Sequence, residues 1–252
     1  MTHLPRWQEN CWYEEGILGN REPVEVDDVE DEATEVEVQM DTMDLLNYGM
    51  NMRKSDSLPL NRPIKDLRNM ACLFWNYPDN LPKASVVIAF HNEGLTTLQR
   101  TVVSVVTRSP PDLLEEVLLV DDFSNLATFP HLGEELEAWI AGSGSRVRLV
   151  RNAQREGLIR SKNIGAEQAL GEAIVFLDAH CEVRFSYQAF DSILIFNAGI
   201  HLYQCSLQVG LNWLPPLLAP LRANPRTVAV PIVDLIHHTT FKISSVYHQA
   251  SR

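Results

Sequence analysis

This 252-residue chain is short of long apolar runs, of paired cysteines and of basic charge. A membrane-spanning helix needs about 18 or more consecutive apolar residues. The richest stretch here, Ser192–Leu211, is broken by Asn197, His201, Gln204 and Gln208, so no membrane segment is expected. Met1–Asn20 mixes polar and aromatic residues without an apolar centre, and neither a signal peptide nor an anchor is expected there. Cys11, Cys72, Cys181 and Cys205 are too few and too irregularly spaced for a disulfide framework, and no C-x-x-C pair points to zinc. Neither G-x-G-x-x-G nor G-x-x-x-x-G-K-[ST] occurs, which argues against a dinucleotide fingerprint and against a P-loop. Lys and Arg number 21 against 33 Asp and Glu, a net charge of −12, and nine of those carboxylates lie in Glu22–Glu37, which holds no Lys or Arg. Outside that segment the chain is close to neutral. Nothing basic remains to track a phosphate backbone, so no nucleic-acid partner is expected.

What is present is ordinary globular composition, 45% hydrophobic and 8% aromatic, enough for one substantial core with appendages. Residues 1 to about 60 read as a tail: Trp7, Trp12 and Tyr13, then the acidic run, then a polar stretch ending at Pro59 and Pro63. High charge with few aromatics favours disorder or an extended wrap there. From Ser85 the pattern sharpens. Ser85–Phe90, Val117–Val120 and Ala173–Leu177 are short apolar runs rich in β-branched residues, and Arg146–Val150 alternates. Such runs predict strands, the apolar ones buried on both faces. Between them, helical spacing marks Leu95 to Val106, Leu136 to Ile140 and Ile159 to Leu170. Alternating strands and helices predict an α/β fold with a mostly parallel sheet.

In such sheets ligands sit outside the carboxyl ends of the strands. The residues to read are therefore His91–Glu93, Asp121–Ser124, Arg151–Arg155 and Asp178–His180. Asp178 and His180, two residues apart at a strand end, can turn toward one ion, and carboxylate with imidazole suits a divalent cation such as Mn2+. The bland alternative is that Asp178 caps a turn and His180 is a surface residue. Asp121 and Asp122 could bind ribose, uracil or metal, or could form an Asx-turn with Ser124 and Asn125. Arg151, Arg155 and Arg160 cluster around Gly157 at a helix start, which suits a pyrophosphate, although Arg155 could instead pair with Glu156 or Glu167 on a solvated face. His91 could be a base, a nucleotide contact or a structural histidine. His237 and His238 read as solvated.

Taken together, Phe90–Glu93 (FHNE), Leu119–Ser124 (LVDDFS), Arg155–Arg160 (REGLIR), Gly165 with Ala166, and Phe176–Glu182 (FLDAHCE) closely resemble the polypeptide N-acetylgalactosaminyltransferase family. The resemblance extends through Ser55, Asp56, Arg68, Cys72, Leu81 and Pro82 on one side, and through Trp213–Leu218 and Pro231–Asp234 on the other. It implies a GT-A nucleotide-diphospho-sugar transferase fold, Rossmann-like, with its N-terminal half only. The implied activity is transfer of GalNAc from UDP-GalNAc to Ser or Thr of a polypeptide acceptor in the Golgi lumen, Mn2+-dependent and retaining, which initiates mucin-type O-glycosylation. On matching positions His91, Asp122 and Arg155 would contact the UDP-sugar, while Asp178 and His180 would hold Mn2+; no catalytic residue is assignable.

The same resemblance frames the departures. The expected division is an acidic, stem-like 1–49 and a partial catalytic domain over 50–252, without the family's acceptor half, its further metal-ligating His or its lectin domain. Cys72 would lack its usual disulfide partner. Arg184–Val209 has no family counterpart, because the H-C-E motif should run almost directly into Gly210–Trp213. An apolar segment such as Ile193–Phe196 must pack over the sheet or stay exposed to aggregation. The expected outcome is a weak or inactive transferase; the alternative is a non-catalytic truncated isoform acting as a binding protein.

Overall fold

The structure, a computed structural model, describes residues 42–64, 77–183, 195–196, 213–231 and 234–244. The acidic run and Cys72 lie outside the described residues. Four parallel strands carry the architecture: β1 (Ala84–Phe90), β2 (Leu114–Asp121), β3 (Val147–Arg151) and β4 (Ala173–Asp178). The sheet order is β3-β2-β1-β4-β5, with β5 (Ile195–Phe196) antiparallel on β4. After β1 the chain builds outward to β2 and β3, then returns to lay β4 on the other side of β1. The point where strand order reverses therefore lies between β1 and β4, the position at which an open α/β sheet forms its ligand crevice.

Both faces of the sheet are covered, which explains why β1 is buried at every position and reads as a continuous apolar run. Ala84, Val86, Ile88 and Phe90 point to one face and pack with Leu98, Val102 and Val105 of α3 (Leu95–Arg108), Leu136 of α4 (Glu134–Gly142) and Leu214, Leu217 and Leu218 of α6 (Leu214–Ala223). Val87 and Ala89 point to the other face, where they join Leu118, Val120 and Ala166 of α5 (Leu158–Gln168). Helix α5 approaches closely because Gly165 has no Cβ. One built there would lie 2.4 Å from Val87 Cγ1 and 2.9 Å from Val120 Cγ2.

Residues 42–60, read from sequence as part of the tail, contain two short helices, α1 (Thr42–Tyr48) and α2 (Met52–Ser57). Helices this short are not stable alone and depend on packing. Asn51 caps α2 by accepting from the Lys54 amide at 2.9 Å, and the Ser55 hydroxyl bonds Thr96 at 2.8 Å and Thr97 at 3.2 Å on α3. The buried Arg100 guanidinium donates to the Ser55 carbonyl at 2.6 Å. A small hairpin, β6 (Leu235–Ile236) and β7 (Ile243–Ser244), closes the described part, and His237 and His238 at its tip are exposed, as the sequence reading has them. Of Arg184–Val209, the stretch expected to be an insertion, only β5 is described. There its backbone extends the sheet as an edge strand, Ile174 opposite Phe196 and Val175 opposite Ile195, rather than packing over a face.

Candidate functional site

The carboxyl ends of β1, β2 and β4 and the amino end of α5 enclose an open cleft of about 160 Å3. His91, Asp122, Arg155, Asp178 and His180, the five residues singled out from sequence, all line it, together with Glu93. Strand pairing explains the convergence. Phe90 sits opposite Asp121 and Ala89 opposite Asp178, so the first polar residues after three strands emerge at one level.

The floor is a rigid turn system. Asn92 and Phe123 adopt left-handed backbone conformations, φ 52° and 60°, uncommon for non-glycine residues and a strain found where a site dictates the backbone. They are locked by the Asn92 amide donating to Ser124 Oγ at 2.9 Å and the Asn125 amide donating to Asn92 Oδ1 at 2.8 Å. His91 Nδ1 lies 2.9 Å from the Asp122 carbonyl oxygen. A carbonyl only accepts, so Nδ1 carries the proton and Nε2 is left as an acceptor. Burial, and then the Arg155 charge, lower the pKa of this imidazole, so it is neutral at pH 7.

The paired aspartates divide their roles. Asp121 makes the Asx-turn, accepting from the Ser124 amide at 2.9 Å, and its other oxygen pairs with Arg151. Arg151 also donates to the Leu132 carbonyl and to Glu137, so it leaves the anion cluster expected around Gly157. Arg160 leaves it too, lying exposed against Glu156. Of the three arginines only Arg155 reaches the cleft, half exposed and paired with Asp122 rather than with Glu156 or Glu167. Asp122 itself is buried and heavily engaged. Its Oδ1 accepts from the Glu156 amide at 2.8 Å and from Asn152 Nδ2 at 3.0 Å, and its Oδ2 accepts from the Gly157 amide at 2.9 Å. Gly157, at φ 84° and ψ 163°, occupies backbone space open essentially to glycine alone, which lets two successive amides turn onto one carboxylate.

Asp178 ends β4 and is buried, while His180, two residues on, is largely exposed. Two partners that the sequence reading left unassigned define their setting. Lys162 on α5, 6% exposed, places Nζ 3.1 Å from Asp178 Oδ1. Glu93 Oε2 lies 3.2 Å from His180 Nδ1, and this hydrogen bond, opposed by desolvation, raises the imidazole pKa. A histidine that donates one ring N–H to a carboxylate keeps its other nitrogen for a metal, an arrangement recurrent around metal-ligating imidazoles. The donor chemistry of Asp178 and His180 thus fits a divalent ion of the Mn2+ kind. Among the described residues no group of three His, Cys, Asp or Glu side chains is close enough to hold one, so the two residues form a partial donor set.

The segment that carries these groups is pinned on α3. Thr101 Oγ1 donates to the Ala179 carbonyl at 2.9 Å and accepts from the Cys181 amide at 3.0 Å. Ser104 Oγ accepts from the Val183 amide at 2.8 Å, and Arg108 donates to the Val183 carbonyl. Glu182, buried, receives a two-pronged contact from Arg62 at 2.6 and 2.9 Å and lies 3.8 Å from Arg100. The signal for this missed framework is the polar stripe Thr97, Thr101, Ser104 and Arg108, spaced four, three and four residues apart on a helix that also carries the apolar stripe Leu98, Val102 and Val105. Trp213, expected within the family's N-W-L element, is buried and donates to Ser109 Oγ at 2.7 Å. Among the described residues no helix is long and apolar enough to cross a membrane.

The profile described as Glycosyl transferase family 2 matches residues 85–187, the span that contains every cleft residue named above. Among curated proteins, the chain is 42% identical over 200 residues to "Probable N-acetylgalactosaminyltransferase 7" of Caenorhabditis elegans, covering 79% of this chain and 28% of that protein. It is 40% identical over 197 residues to human "N-acetylgalactosaminyltransferase 7", covering 78% and 26%, and 39% identical over 204 residues to human "Polypeptide N-acetylgalactosaminyltransferase 10", covering 81% and 29%. The chain therefore spans between a quarter and a third of the length of these relatives. A crystal structure of GalNAc-T7 with UDP, GalNAc and Mn2+ superposes with a TM-score of 0.66 at 39% identity, covering 80% of this chain and 32% of that one. The sheet order, the parallel β1-β2-β3-β4 core and this superposition are those of a GT-A domain. Over the four fifths of its length that aligns with them, the chain is a homologue of the polypeptide N-acetylgalactosaminyltransferases.

Proposed function

We propose that this chain binds a UDP-sugar, UDP-GalNAc in particular, in the cleft between β1, β2, β4 and α5, together with Mn2+. The observation that carries the reading is the meeting of His91, Asp122, Arg155, Asp178 and His180 at the strand-order reversal, in a chain about 40% identical to N-acetylgalactosaminyltransferases. The proposed division of labour follows from the geometry. Neutral His91 offers Nε2 as an acceptor to a base or ribose donor. Arg155, half exposed at the cleft, meets a diphosphate with a fork of donors matched to phosphate oxygens. Asp122 fixes the loop that carries Arg155 and shapes the nucleotide floor from below. Asp178 and His180 hold the ion, with Glu93 orienting the imidazole. Mn2+, when bound, supplies positive charge against the charge that develops on the departing diphosphate.

The division at residues 49 and 50 into a stem-like segment and a partial catalytic domain belongs to the same proposal, as does a Golgi-lumen setting. The proposed full activity is retaining transfer of GalNAc to Ser or Thr hydroxyls of a polypeptide acceptor, weak or absent in this form. A non-catalytic nucleotide-binding protein is the second reading. It is favoured by the described donor set for the ion, which has two members rather than three.

Thermal unfolding of the full chain with UDP, with Mn2+, with both and with neither tests the binding proposal. At ligand concentrations about 100-fold above Kd the stabilisation is about 2.7 kcal/mol, a rise in Tm of roughly 5–10 °C for a domain this size. The rise is expected only with both present. An unchanged transition under all four conditions refutes it.

A further inference from the structure

We infer that Lys162 is the resident counter-ion of the cleft, a positioning residue that neutralises Asp178 in the empty site and gives up that carboxylate when a divalent cation arrives. The inference rests on the reading of Asp178 as a metal ligand. Lys162 is 6% exposed, on the turn of α5 directly after the cleft-lining Ser161, and its Nζ is 3.1 Å from Asp178 Oδ1. A lysine so deeply buried needs a paired charge, and the carboxylate it has found is one that a metal would also use.

The neighbouring charges give this contact its meaning. Each other acid at the cleft floor also has an internal partner: Asp121 with Arg151, Asp122 with Arg155, Glu93 with His180. Among these partners Lys162 is both buried and joined to a proposed ligand, so its fixed charge sits within a few ångströms of the ion's place. A divalent ion on Asp178 is repelled by the ammonium and must also compete for the carboxylate. Free metal is therefore held weakly, and the diphosphate, which brings negative charge of its own, is what makes the ion's binding favourable. A merely structural buried pair has no such consequence. Its loss would lower stability and would loosen or leave unchanged the metal affinity.

The sign of the effect separates the two. Removing the ammonium lowers the stability of the empty protein, because a buried carboxylate loses its partner. At the same time it strengthens binding of a divalent ion, by about tenfold or more for a unit charge at this range in a partly solvated cleft. The experiment is a titration of free Mn2+, followed by its electron paramagnetic resonance signal, against the full chain without nucleotide. Wild type, Lys162→Met, Lys162→Gln, Lys162→Arg and Asp178→Asn are compared, with the Tm of each metal-free protein recorded in parallel. Lys162→Met is expected to bind Mn2+ at least tenfold more tightly and to melt lower when metal-free. Lys162→Arg is expected to stay within about threefold of wild type. Lys162→Gln keeps two donors without the charge and is expected to show the same tightening, which covers a Met variant that fails to fold. Unchanged or weaker Mn2+ binding in the charge-removing variants, with binding lost in Asp178→Asn, overturns the role given to Lys162 and leaves the metal site standing. Wild-type Mn2+ binding in Asp178→Asn overturns the metal site and this inference with it.

Discussion

Asp122→Asn separates a direct nucleotide contact from a framework residue. The wild-type carboxylate accepts amide hydrogens on both oxygens, Glu156 on Oδ1 at 2.8 Å and Gly157 on Oδ2 at 2.9 Å, and takes Asn152 Nδ2 as well. Asparagine offers only one acceptor atom. Whichever way the amide is turned, its NH2 group faces one of those two backbone N–H groups, and a buried donor loses its partner. That costs about 1–3 kcal/mol. The pair with Arg155 is half exposed and adds up to about 1 kcal/mol. A loss of roughly 1–4 kcal/mol corresponds to a fall in Tm of roughly 2–16 °C for a unit of this size. Because the same loop carries Arg155 and starts α5, UDP affinity should fall together with stability. The assay is circular dichroism melting alongside UDP titration in the presence of Mn2+. A variant that melts within 2 °C of wild type, by order of magnitude inside experimental scatter, while losing UDP would refute the framework argument and make Asp122 a ligand contact alone.

Glu182→Gln removes the carboxylate that Arg62 and Arg100 share, and breaking a buried pair from one side costs about 3–5 kcal/mol, so Tm should drop by roughly 6–20 °C; a drop under 2 °C would show that the carboxylate does not hold the segment after β4. His91 supplies a pH dependence. Its folded pKa lies below the ordinary 6.5 because burial, then Arg155, disfavours the cation. Above pH 6.5 both folded and unfolded chains carry it neutral. As pH falls through that value the unfolded chain takes up a proton the folded one refuses, so the stability this neutral ring contributes is lost toward the folded pKa. Urea unfolding of wild type and His91→Asn between pH 5 and 8, the range in which a histidine near its ordinary pKa titrates, should show a shallower acid decline in the variant, and parallel curves would reject the assignment.

The strands and the place of the cleft are legible in the sequence because buried parallel strands leave continuous apolar runs, and each run ends on its polar site residue. His91, Asp122, Asp178 and His180 follow directly from that rule. What competes with it is chemistry decided by distance in space. Arg151 and Arg155 stand four residues apart near the same glycine, but Arg151 ends β3 and is captured by Asp121, whereas Arg155 lies beyond the strand and reaches Asp122. Lys162 carries no such signal, because no local pattern reveals that its Nζ lies 3.1 Å from Asp178. Helices α1 and α2 are invisible for the opposite reason: both are too short to be stable alone, and distant contacts hold them, α2 through Ser55 on α3 and α1 through Tyr48 on Phe129. Edge strand β5 is two residues long and lies against the edge of β4, which local pattern alone does not reveal.

That edge strand also bears on how the cleft tolerates its neighbourhood. Val183 is where α3 ends its hold on the segment after β4, through Ser104 and Arg108. The segment from Asp178 to Val183 is thus tied to the sheet or to α3. On the far side, Trp213 is again anchored to α3, at Ser109. Val183 and Trp213 are thus both attached at α3 or at the Ser109 cap that ends it. By this logic the framework residues Thr101, Ser104, Arg108 and Ser109 do for the site what its charged residues cannot do for themselves. Thr101, Ser104 and Arg108 hold the segment from Ala179 to Val183 against α3, which packs on β1, and Ser109 holds Trp213.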